Sequence, residues 1–520
     1  MLRAMTTSLL PDPSRAPAAT CPHAVRHAAT TTTVASSPAT PSREPTPWRG
    51  WADLPGPKTR WWGLPLLRDM RRDYLGFTER LRREHGDLVA MRLVNERTVD
   101  VFDPDGVREV LVQQADRTIR WERGVEVFAQ VFGRSVLVTE GDEWQRQRRM
   151  LQPAFTPRRV AEQAAGMAAT IEAALEQLER ASPGGKDVDL EGFFSTVTLR
   201  VILRTLFGPE AEADTAAVAW ATQVLSRAAM REMFMPMTLP DWLPLPGKAD
   251  KRRALRTLRE LVGRQVAARQ AAPAHGDGPA PRDLLGLLLS LRDTEGPGAT
   301  GAPLSTREVF DQCIVTFQAG HETTATALSW WGRLLAEHRE ALAKAQAEVD
   351  AVLGGRRPSA EDLPRLPWLT ATLKEAMRLY PPAAALLTRR ATAELVVCGT
   401  RLPKGTLVRI TPWVVQRDPR LFDDPAAFRP ERFLPDAPAP ARGAWLPFGT
   451  GPRVCIGQHF AMLEATLVAS MLLQRFSWAL AAGAGPARPE MNVTLRDRCG
   501  LHVRLQRRLT ARMAEPGIAA

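Results

Sequence analysis

The feature that most limits how this chain folds is one long apolar stretch. Apolar residues recur from Val309 through Leu335, and they follow Ser305 and Glu308, which are spaced as in a capping box. The pattern predicts a helix of roughly 30 residues, or roughly 45 Å at about 1.5 Å per residue. Because such a helix crosses a whole domain, the remaining elements have to pack around it.

Helical spacing also dominates much of the remaining sequence. It predicts a helix over 74–84, mostly helical structure over 140–289 and a further helix around Glu375. Strand-like alternation is confined to 87–101 and to short segments within 395–410. We therefore expect a mainly α fold with small β-sheets.

Composition shifts suggest where this fold begins and ends. Residues 1–47 are rich in Ala, Thr and Pro and predict a disordered tail, residues 48–508 a single catalytic domain, and residues 509–520 a C-terminal tail. Segment 271–282 predicts a flexible link. Segment 230–246 combines Pro, Met and bulky apolar residues, which favours either a buried connector or a lid or membrane-touching tip.

Charge and cysteine content narrow the choice of partners and compartment. Lys and Arg number 69 against 57 Asp and Glu, for a formal net charge of +12, which attracts acidic partners or anionic surfaces. No basic run is interleaved with aromatic residues, so we expect no nucleic acid binding. The five cysteines are scattered and odd in number, which favours a reducing cytoplasm. No apolar run reaches the ~20 residues of a transmembrane anchor, and peripheral membrane contact stays open.

One cysteine lies in a distinctive loop. Residues 445–457 read WLPFGTGPRVCIG, in which Gly449 and Gly451 predict an irregular backbone before Cys455 and a helix after it. Free N–H groups at a helix start favour a thiolate, and Arg453 can neutralise a nearby anion. A lone cysteine in other surroundings is usually a small buried hydrophobe.

The loop carries a family signature. Phe448, Gly451, Arg453, Cys455 and Gly457 reproduce F-x-x-G-x-R-x-C-x-G, and this pattern resembles the haem-binding signature of the cytochrome P450 family. The resemblance implies a cytochrome P450 fold with its long central helix over the haem. It also implies haem b (iron protoporphyrin IX) as cofactor, with the Cys455 thiolate as axial ligand and metal-binding residue.

Further motifs extend the resemblance over about residues 54–505. TLKEAMR contains an E-x-x-R pattern at Glu375 and Arg378, and FRPERF contains Arg432. In the family these three would form a buried charge network that supports the cysteine loop, which is a structural role. Without the resemblance, the default is an i, i+3 surface ion pair worth a few tenths of a kcal/mol.

Two more motifs imply contacts with the haem propionates. Trp144 and Arg148 lie four residues apart, on one helix face, and match the family's W-x-x-x-R. Arg389 or Arg390, in the sequence LLTRRA, would supply another propionate contact.

The centre of the long helix reads AGHETT over residues 319–324 and resembles the family's [AG]-G-x-[DE]-T-[TS]. A glycine followed by polar side chains permits a local bulge where oxygen and water fit. The resemblance implies that Glu322 and Thr323 relay protons during oxygen activation. The alternative from the residues alone is that the threonines pack and bond to their own helix carbonyls. His321 receives no role.

By resemblance, the substrate pocket would be lined by Phe317, Ala319, Ala385 and Leu386. These apolar and partly small residues predict a hydrophobic small molecule such as a fatty acid, terpenoid, steroid or polyketide.

The leading expectation is a monooxygenase that uses O2 and receives electrons from a separate ferredoxin or flavodoxin and its reductase, since no segment resembles a flavin or iron–sulfur domain. Arg146 and Arg149 would form part of a basic docking surface. A peroxide-dependent haem-thiolate enzyme and a non-catalytic haem sensor are the alternatives. Glu322 and Thr323 argue against peroxide users, which often lack this pair.

Overall fold

The structure is a computed structural model. Its described residues are 49–59, 61–182, 186–233, 235, 237–271, 283–294, 299–385 and 387–508. The tails expected at 1–47 and 509–520 lie outside the described residues, as do Leu386 and all but the first residue of the link expected at 271–282.

Helices make up most of the described chain, as expected. In chain order they are α1 (Leu64–Arg72), α2 (Tyr74–His85), α3 (Pro104–Arg108), α4 (Glu122–Phe132), α5 (Gly141–Leu151), α6 (Pro157–Ala161), α7 (Ala164–Ala181), α8 (Leu190–Phe207), α9 (Thr215–Met233), α10 (Lys248–Ala271), α11 (Leu284–Ser290), α12 (Thr306–Glu337), α13 (Arg339–Leu353), α14 (Pro367–Leu379), α15 (Pro412–Val415) and α16 (Gln458–Arg475).

The strands are short and form small sheets. They are β1 (Arg49–Gly50), β2 (Leu88–Leu93), β3 (Glu96–Val101), β4 (Thr118–Arg120), β5 (Asp187–Asp189), β6 (Leu387–Ala391), β7 (Leu395–Val397), β8 (Thr400–Leu402), β9 (Leu407–Ile410), β10 (Phe476–Leu480), β11 (Pro489–Met491), β12 (Leu495–Asp497) and β13 (His502–Arg507). The largest sheet has the order β2-β3-β9-β6-β4, and the smaller ones are β1-β8-β7, β10-β13-β5 and β11-β12. The prediction of a mainly α fold with small sheets is confirmed.

The central helix is α12, and it begins as predicted. Ser305 Oγ accepts a hydrogen bond from the Glu308 N–H at 3.2 Å, and a Glu308 carboxylate oxygen accepts one from the Ser305 N–H at 2.8 Å. The helix spans 32 residues, or about 48 Å. It packs against α8, α14 and α16, and most of its middle residues are buried. The interior is therefore organised around this helix.

Gly320 permits a close contact between α8 and α12. A Cβ at Gly320 would lie 3.2 Å from Ile202 Cδ1 of α8, which is tighter than ordinary van der Waals contact. Gly320 therefore lets α8 approach α12, and this packing role is independent of any chemistry at the site.

The proline- and methionine-rich segment 230–246 is only partly a loop, because α9 continues through Met233. Beyond the helix, Met237, Trp242 and Leu245 have exposed fractions of 63%, 74% and 41%. These exposures contradict the buried-connector interpretation for the tip of the segment. No helix of the described ranges is both long and apolar enough to span a bilayer.

A buried ion pair fixes α14. Glu375 and Arg378 are both fully buried and meet in two contacts, Nε to Oε2 at 2.7 Å and Nη2 to Oε1 at 2.8 Å. Arg432 approaches the same carboxylate, with its Nε 3.4 Å from Glu375 Oε1. The surface-pair default is thus wrong for these residues, and the three predicted charges meet inside the protein.

Gln416 connects this pair to the cysteine loop. Its side-chain NH₂ donates to the carbonyls of Met377 and Arg378 at 3.0 and 2.9 Å, and its side-chain oxygen accepts from the N–H of Leu446. Its own carbonyl accepts from Arg378 Nη1 at 2.9 Å. The fully buried amide therefore joins the end of α14 to the segment that leads to Cys455.

We expect Arg378→Ala to lower the free energy of unfolding by about 3–5 kcal/mol, because it leaves Glu375 as an uncompensated buried charge. Urea unfolding measures the change. Arg159→Ala is the matched control, since Arg159 and Glu162 form an exposed pair with the same i, i+3 spacing at 3.1 Å; its change should stay within about 0.5 kcal/mol. Equal losses in the two variants would contradict the structural role of the buried pair.

Candidate active site

The loop before α16 holds Cys455 in a defined position. A 3₁₀ turn spans Gly451–Arg453, and the Cys455 N–H donates to the Phe448 carbonyl at 2.9 Å. Gly451 has a φ of +76°, and a Cβ there would lie 2.0 Å from the Leu111 carbonyl oxygen. Since no other residue fits this approach, the glycine fixes the path of the backbone that presents the sulfur.

The Cys455 thiol faces an opening inside the fold. Its side chain has exposed surface, yet burial among protein atoms raises the pKa of the thiol, with the Gly457 N–H and the positive charge of Arg148 acting in the opposite direction. The cysteine lies three residues before the first residue of α16, so the predicted stabilisation by the helix start reaches it mainly through the Gly457 N–H. A metal ion would deprotonate the thiol outright.

Arginines gather near this cysteine. Strands β4 and β6 place Arg120 and Arg389 directly opposite each other. Arg453 lies over the ring of Trp144, with its guanidinium carbon 4.0 Å from the ring centroid. Glu140 accepts from Arg120 Nε at 3.0 Å and also pairs with Arg453. The Glu140 carboxylate thus contacts two guanidinium groups, those of Arg120 and Arg453.

Burial and mutual repulsion leave these arginines short of negative charge. Burial and the neighbouring Arg120 lower the pKa of Arg389 to about 10. Burial and Arg120, against the attraction of Glu140, lower the pKa of Arg453 to about 9. Burial also lowers the pKa of Arg148. Among the described residues, no carboxylate forms an ion pair with Arg148 or Arg389. The site therefore favours an anionic group.

Arg389 and Arg390, the two candidates for the additional propionate contact, differ in their partners. Arg390 is paired with Glu96 and lies 3.0 Å from Glu122. Arg389 is buried, and its Nη1 donates a hydrogen bond to the Thr388 carbonyl at 3.0 Å. Arg389 rather than Arg390 thus belongs to the arginine group around Cys455.

The middle of α12 also opens to the interior. Ala319 is exposed and Thr323 half-buried although most neighbouring positions are buried. The hydroxyls of Thr323 and Thr324 donate to the carbonyls four residues back, at 2.9 and 3.0 Å. The helix is continuous here, without the local bulge that the sequence permits. The bonding of both threonines to their own helix is the alternative that the residues alone offered.

Glu322 is buried and held by three donors. Its carboxylate accepts from Ser226 Oγ at 2.7 Å, Thr494 Oγ1 at 3.0 Å and Arg496 Nη2 at 3.1 Å. Neighbouring His321 is also buried, and its Nδ1 lies 3.0 Å from the Phe317 carbonyl. Burial lowers the pKa of His321, which favours the neutral ring.

The expected pocket residues have different surroundings. Ala319 is exposed and Ala385 half-buried. Phe317 has no exposed surface and belongs to the hydrophobic core, so its side chain packs among helices instead of lining an opening.

Glu464 of α16 was not singled out by the sequence. It is fully buried, and neither carboxylate oxygen has a hydrogen-bond partner among the described residues. Burial raises its pKa well above the ordinary value of a glutamate, and the nearby Thr324 hydroxyl acts in the opposite direction. A glutamate in this position is expected to be a neutral acid.

The mainly helical fold thus brings together a cysteine loop, an arginine group and a polar segment of one central helix. The Cytochrome P450 family profile matches residues 54–499. The chain belongs to the cytochrome P450 family and is a cytochrome P450 monooxygenase.

Similar proteins cover most of the chain. Cyclooctatin synthase of Streptomyces melanosporofaciens is 35% identical over 454 residues, 84% of this chain and 95% of that protein. Cyclooctat-9-en-7-ol 5-monooxygenase of the same species is 34% identical over 397 residues, 75% and 82% of the respective chains. The solved structure of retinoic acid-bound cyanobacterial CYP120A1 has a TM-score of 0.75 at 25% identity, over 89% of this chain and 100% of that one.

We expect Glu464→Gln to stabilise the protein increasingly as pH rises. The folded-state pKa is raised above the ordinary value of 4.5, so above that pH the unfolded chain releases a proton that the folded protein retains. Wild-type stability therefore falls by up to ~1.4 kcal/mol per pH unit until the folded pKa is reached, and the glutamine variant lacks this loss.

Urea unfolding of both proteins between about pH 4 and 8 tests this linkage. Glu176→Gln is the control, because that side chain is 52% exposed and its replacement should give a nearly constant difference. A constant difference for Glu464→Gln as well would show that its carboxyl ionises normally in the fold.

Proposed function

We propose that residues 48–508 form one catalytic domain that binds haem b through the Cys455 thiolate and inserts one oxygen atom of O2 into a hydrophobic small molecule, as hydroxylation or epoxidation. The observation that carries the cofactor assignment is a desolvated group of arginines that lacks matching carboxylates beside a cysteine with open surface. Haem b offers both complementary groups, an iron for the sulfur and two propionates for the guanidinium groups. When bound, it supplies oxygen activation, which a thiolate ligand assists by favouring O–O cleavage.

The residues around the opening have distinct roles in this proposal. Arg148, Arg389 and Arg453 hold the propionates, and Trp144 orients Arg453 by stacking on it. The backbone of Phe448 and Gly457 fixes the sulfur through hydrogen bonds on either side of Cys455 in the sequence. Glu375, Arg378 and Arg432 support this loop through Gln416, which bonds to the Arg378 carbonyl and to the Leu446 N–H.

Glu322 and Thr323 are the proposed proton relay. Glu322 is a buried carboxylate with a connection to the outer part of the protein through Arg496. Thr323 carries a half-buried hydroxyl that donates to the Ala319 carbonyl and can exchange this partner for water or a reacting oxygen. A carboxylate and a hydroxyl in this arrangement can accept and donate protons within a site shielded from bulk water.

We propose a terpenoid as substrate. The two Streptomyces relatives carry names that refer to cyclooctatin and cyclooctat-9-en-7-ol, and CYP120A1 was solved with retinoic acid. The exposed methyl of Ala319 and the half-buried Ala385 leave space and offer apolar contact, which suits an apolar ring system better than a polar ligand.

The proposed electron donor is a separate ferredoxin or flavodoxin with its reductase. Arg146 and Arg149, expected at its docking surface, are already engaged: Arg146 pairs with Glu308, and Arg149 lies 3.1 Å from Asp293. Arg158 of α6 is exposed, and α6 packs against α16. An acidic partner therefore finds free positive charge on α6 more readily than on α5.

The test combines the purified protein, surrogate ferredoxins with reductase, and a terpenoid panel that includes cyclooctat-9-en-7-ol. We expect substrate-dependent consumption of reduced nicotinamide and a product with one added oxygen by mass spectrometry. Product formed with peroxide alone, but never with the donor system, would favour a peroxide-dependent enzyme. Haem binding with no turnover of any kind would favour a sensor.

Thr323→Val should lower product per reductant at least ~10-fold, while reductant consumption continues and peroxide accumulates, because a proton donor is lost. Thr196→Val is the matched control, since Thr196 on α8 makes the same type of bond to the Gly192 carbonyl at 2.9 Å. Equal coupling in wild type and Thr323→Val would remove this threonine from the relay.

A further inference from the structure

The donors to Glu322 come from parts of the chain remote from α12. Ser226 lies on α9, whereas Thr494 and Arg496 lie at the start of the C-terminal strands. The three contacts span 2.7 to 3.1 Å, and the carboxylate is 6% exposed. Hydrogen bonds to a buried carboxylate are strong and orient it closely, so these side chains determine where the acid points.

Helix geometry directs Glu322 and Thr323 apart. Consecutive residues of an α-helix are rotated by about 100°, so neighbouring side chains do not face each other. The carboxylate of Glu322 points to α9 and the C-terminal strands, whereas the Thr323 hydroxyl bonds to the Ala319 carbonyl. A proton taken up by Glu322 therefore starts on a different side of α12 from the one that Thr323 faces.

Arg496 connects Glu322 with the protein surface. Its side chain is 31% exposed, and its Nη1 lies 3.9 Å from Glu191 Oε1 on α8. Arg496 and Glu191 line a narrow crevice together with Ser329 and Asp497. One end of the guanidinium group thus touches the buried carboxylate, while the other borders a narrow crevice that has polar side chains on its wall and can admit water.

We propose that Arg496 is a positioning residue for proton supply: with the help of Thr494 and Ser226 it holds Glu322, while Arg496 itself also lines the crevice. This inference rests on the proposed function of Glu322. Water that enters beside Arg496 gives a proton to the carboxylate and regains one from bulk solvent. The side chain of Glu322 then rotates toward Thr323, releases the proton there and returns ionised to Arg496. No proton or electron is gained by the protein over the cycle.

The hydrogen bonds that Ser226, Thr494 and Arg496 donate to Glu322 form a clamp. This clamp makes proton supply depend on the positions of α9 and β12. Because Ser226 lies on α9 and Thr494 next to the β12 strand, any ligand that shifts either element changes the hold on Glu322. Reductant is then turned into product most efficiently when the bound molecule leaves both elements in place.

The variants for the test are Arg496→Gln, Glu322→Gln and their combination, assayed for turnover in H2O and D2O with the ferredoxin system. We expect a loss of roughly tenfold for Arg496→Gln, the effect of one charge-assisted hydrogen bond, with a larger solvent isotope effect. The double variant should match Glu322→Gln, because Arg496 acts through Glu322. Arg504→Gln is the control, since that arginine on β13 is 54% exposed, and it should retain wild-type values.

The proposal would be overturned if the losses of turnover in the two single variants multiply in the double variant. It would also be overturned if Arg496→Gln turns over at the wild-type rate. A double-mutant cycle on urea unfolding provides a readout apart from activity, and we expect the two substitutions to be non-additive because their side chains touch. Additive effects on unfolding would show that the contact is absent. If wild type shows no turnover, the proposed function fails, and the unfolding cycle still decides whether the clamp exists. Thr494→Val offers a milder substitution if Arg496→Gln does not fold.

Discussion

The buried ion pair of Glu375 and Arg378 is the interaction on which the cysteine site depends. Two charges removed from water are tolerated only when their hydrogen-bonding capacity is used, and here the arginine also reaches backbone carbonyls outside α14. Those carbonyls belong to Gln416, Pro425 and Ala427. The pair therefore fixes both its own helix and the segment that leads to Cys455. A structural requirement of the fold and the position of the reactive sulfur are satisfied by the same contacts.

The charged groups around Glu375 and those beside Cys455 differ in how completely they are paired. Beside Glu375 every guanidinium nitrogen of Arg378 has an acceptor, whereas Arg148 and Arg389 beside Cys455 have no carboxylate partner among the described residues. An imbalance of this kind costs stability and persists where a ligand supplies the missing charge. The Glu375–Arg378 pair therefore stabilises the fold, whereas the arginines beside Cys455 favour the binding of an anion.

Local patterns in the sequence predicted the elements whose signals are local. The capping box at Ser305, the apolar period of α12 and the loop before Cys455 were all legible, because each depends on residues close in sequence. The clamp on Glu322 was not, since Ser226 and Arg496 become its neighbours only through tertiary packing.

Burial was equally hard to predict. The pattern at Glu375 and Arg378 fits an exposed pair as well as a buried one, and nothing local marks Glu464 as a fully buried carboxyl. Phe317 has no exposed surface and packs in the core, which its position close to Ala319 in the sequence does not reveal. The bulge that the sequence permits near Thr323 is not seen, since α12 is continuous there and both threonine hydroxyls bond within the helix.

The central claim, that Cys455 ligates the haem iron, is tested most directly by the carbon monoxide difference spectrum of the reduced protein. Wild type and Cys455→Ser are prepared in parallel with haem supplied, and unfolding curves check that both are folded. The account predicts a strongly red-shifted Soret band in the wild type that the serine variant lacks. An unshifted band in the wild type, or the same shifted band in both proteins, would contradict it.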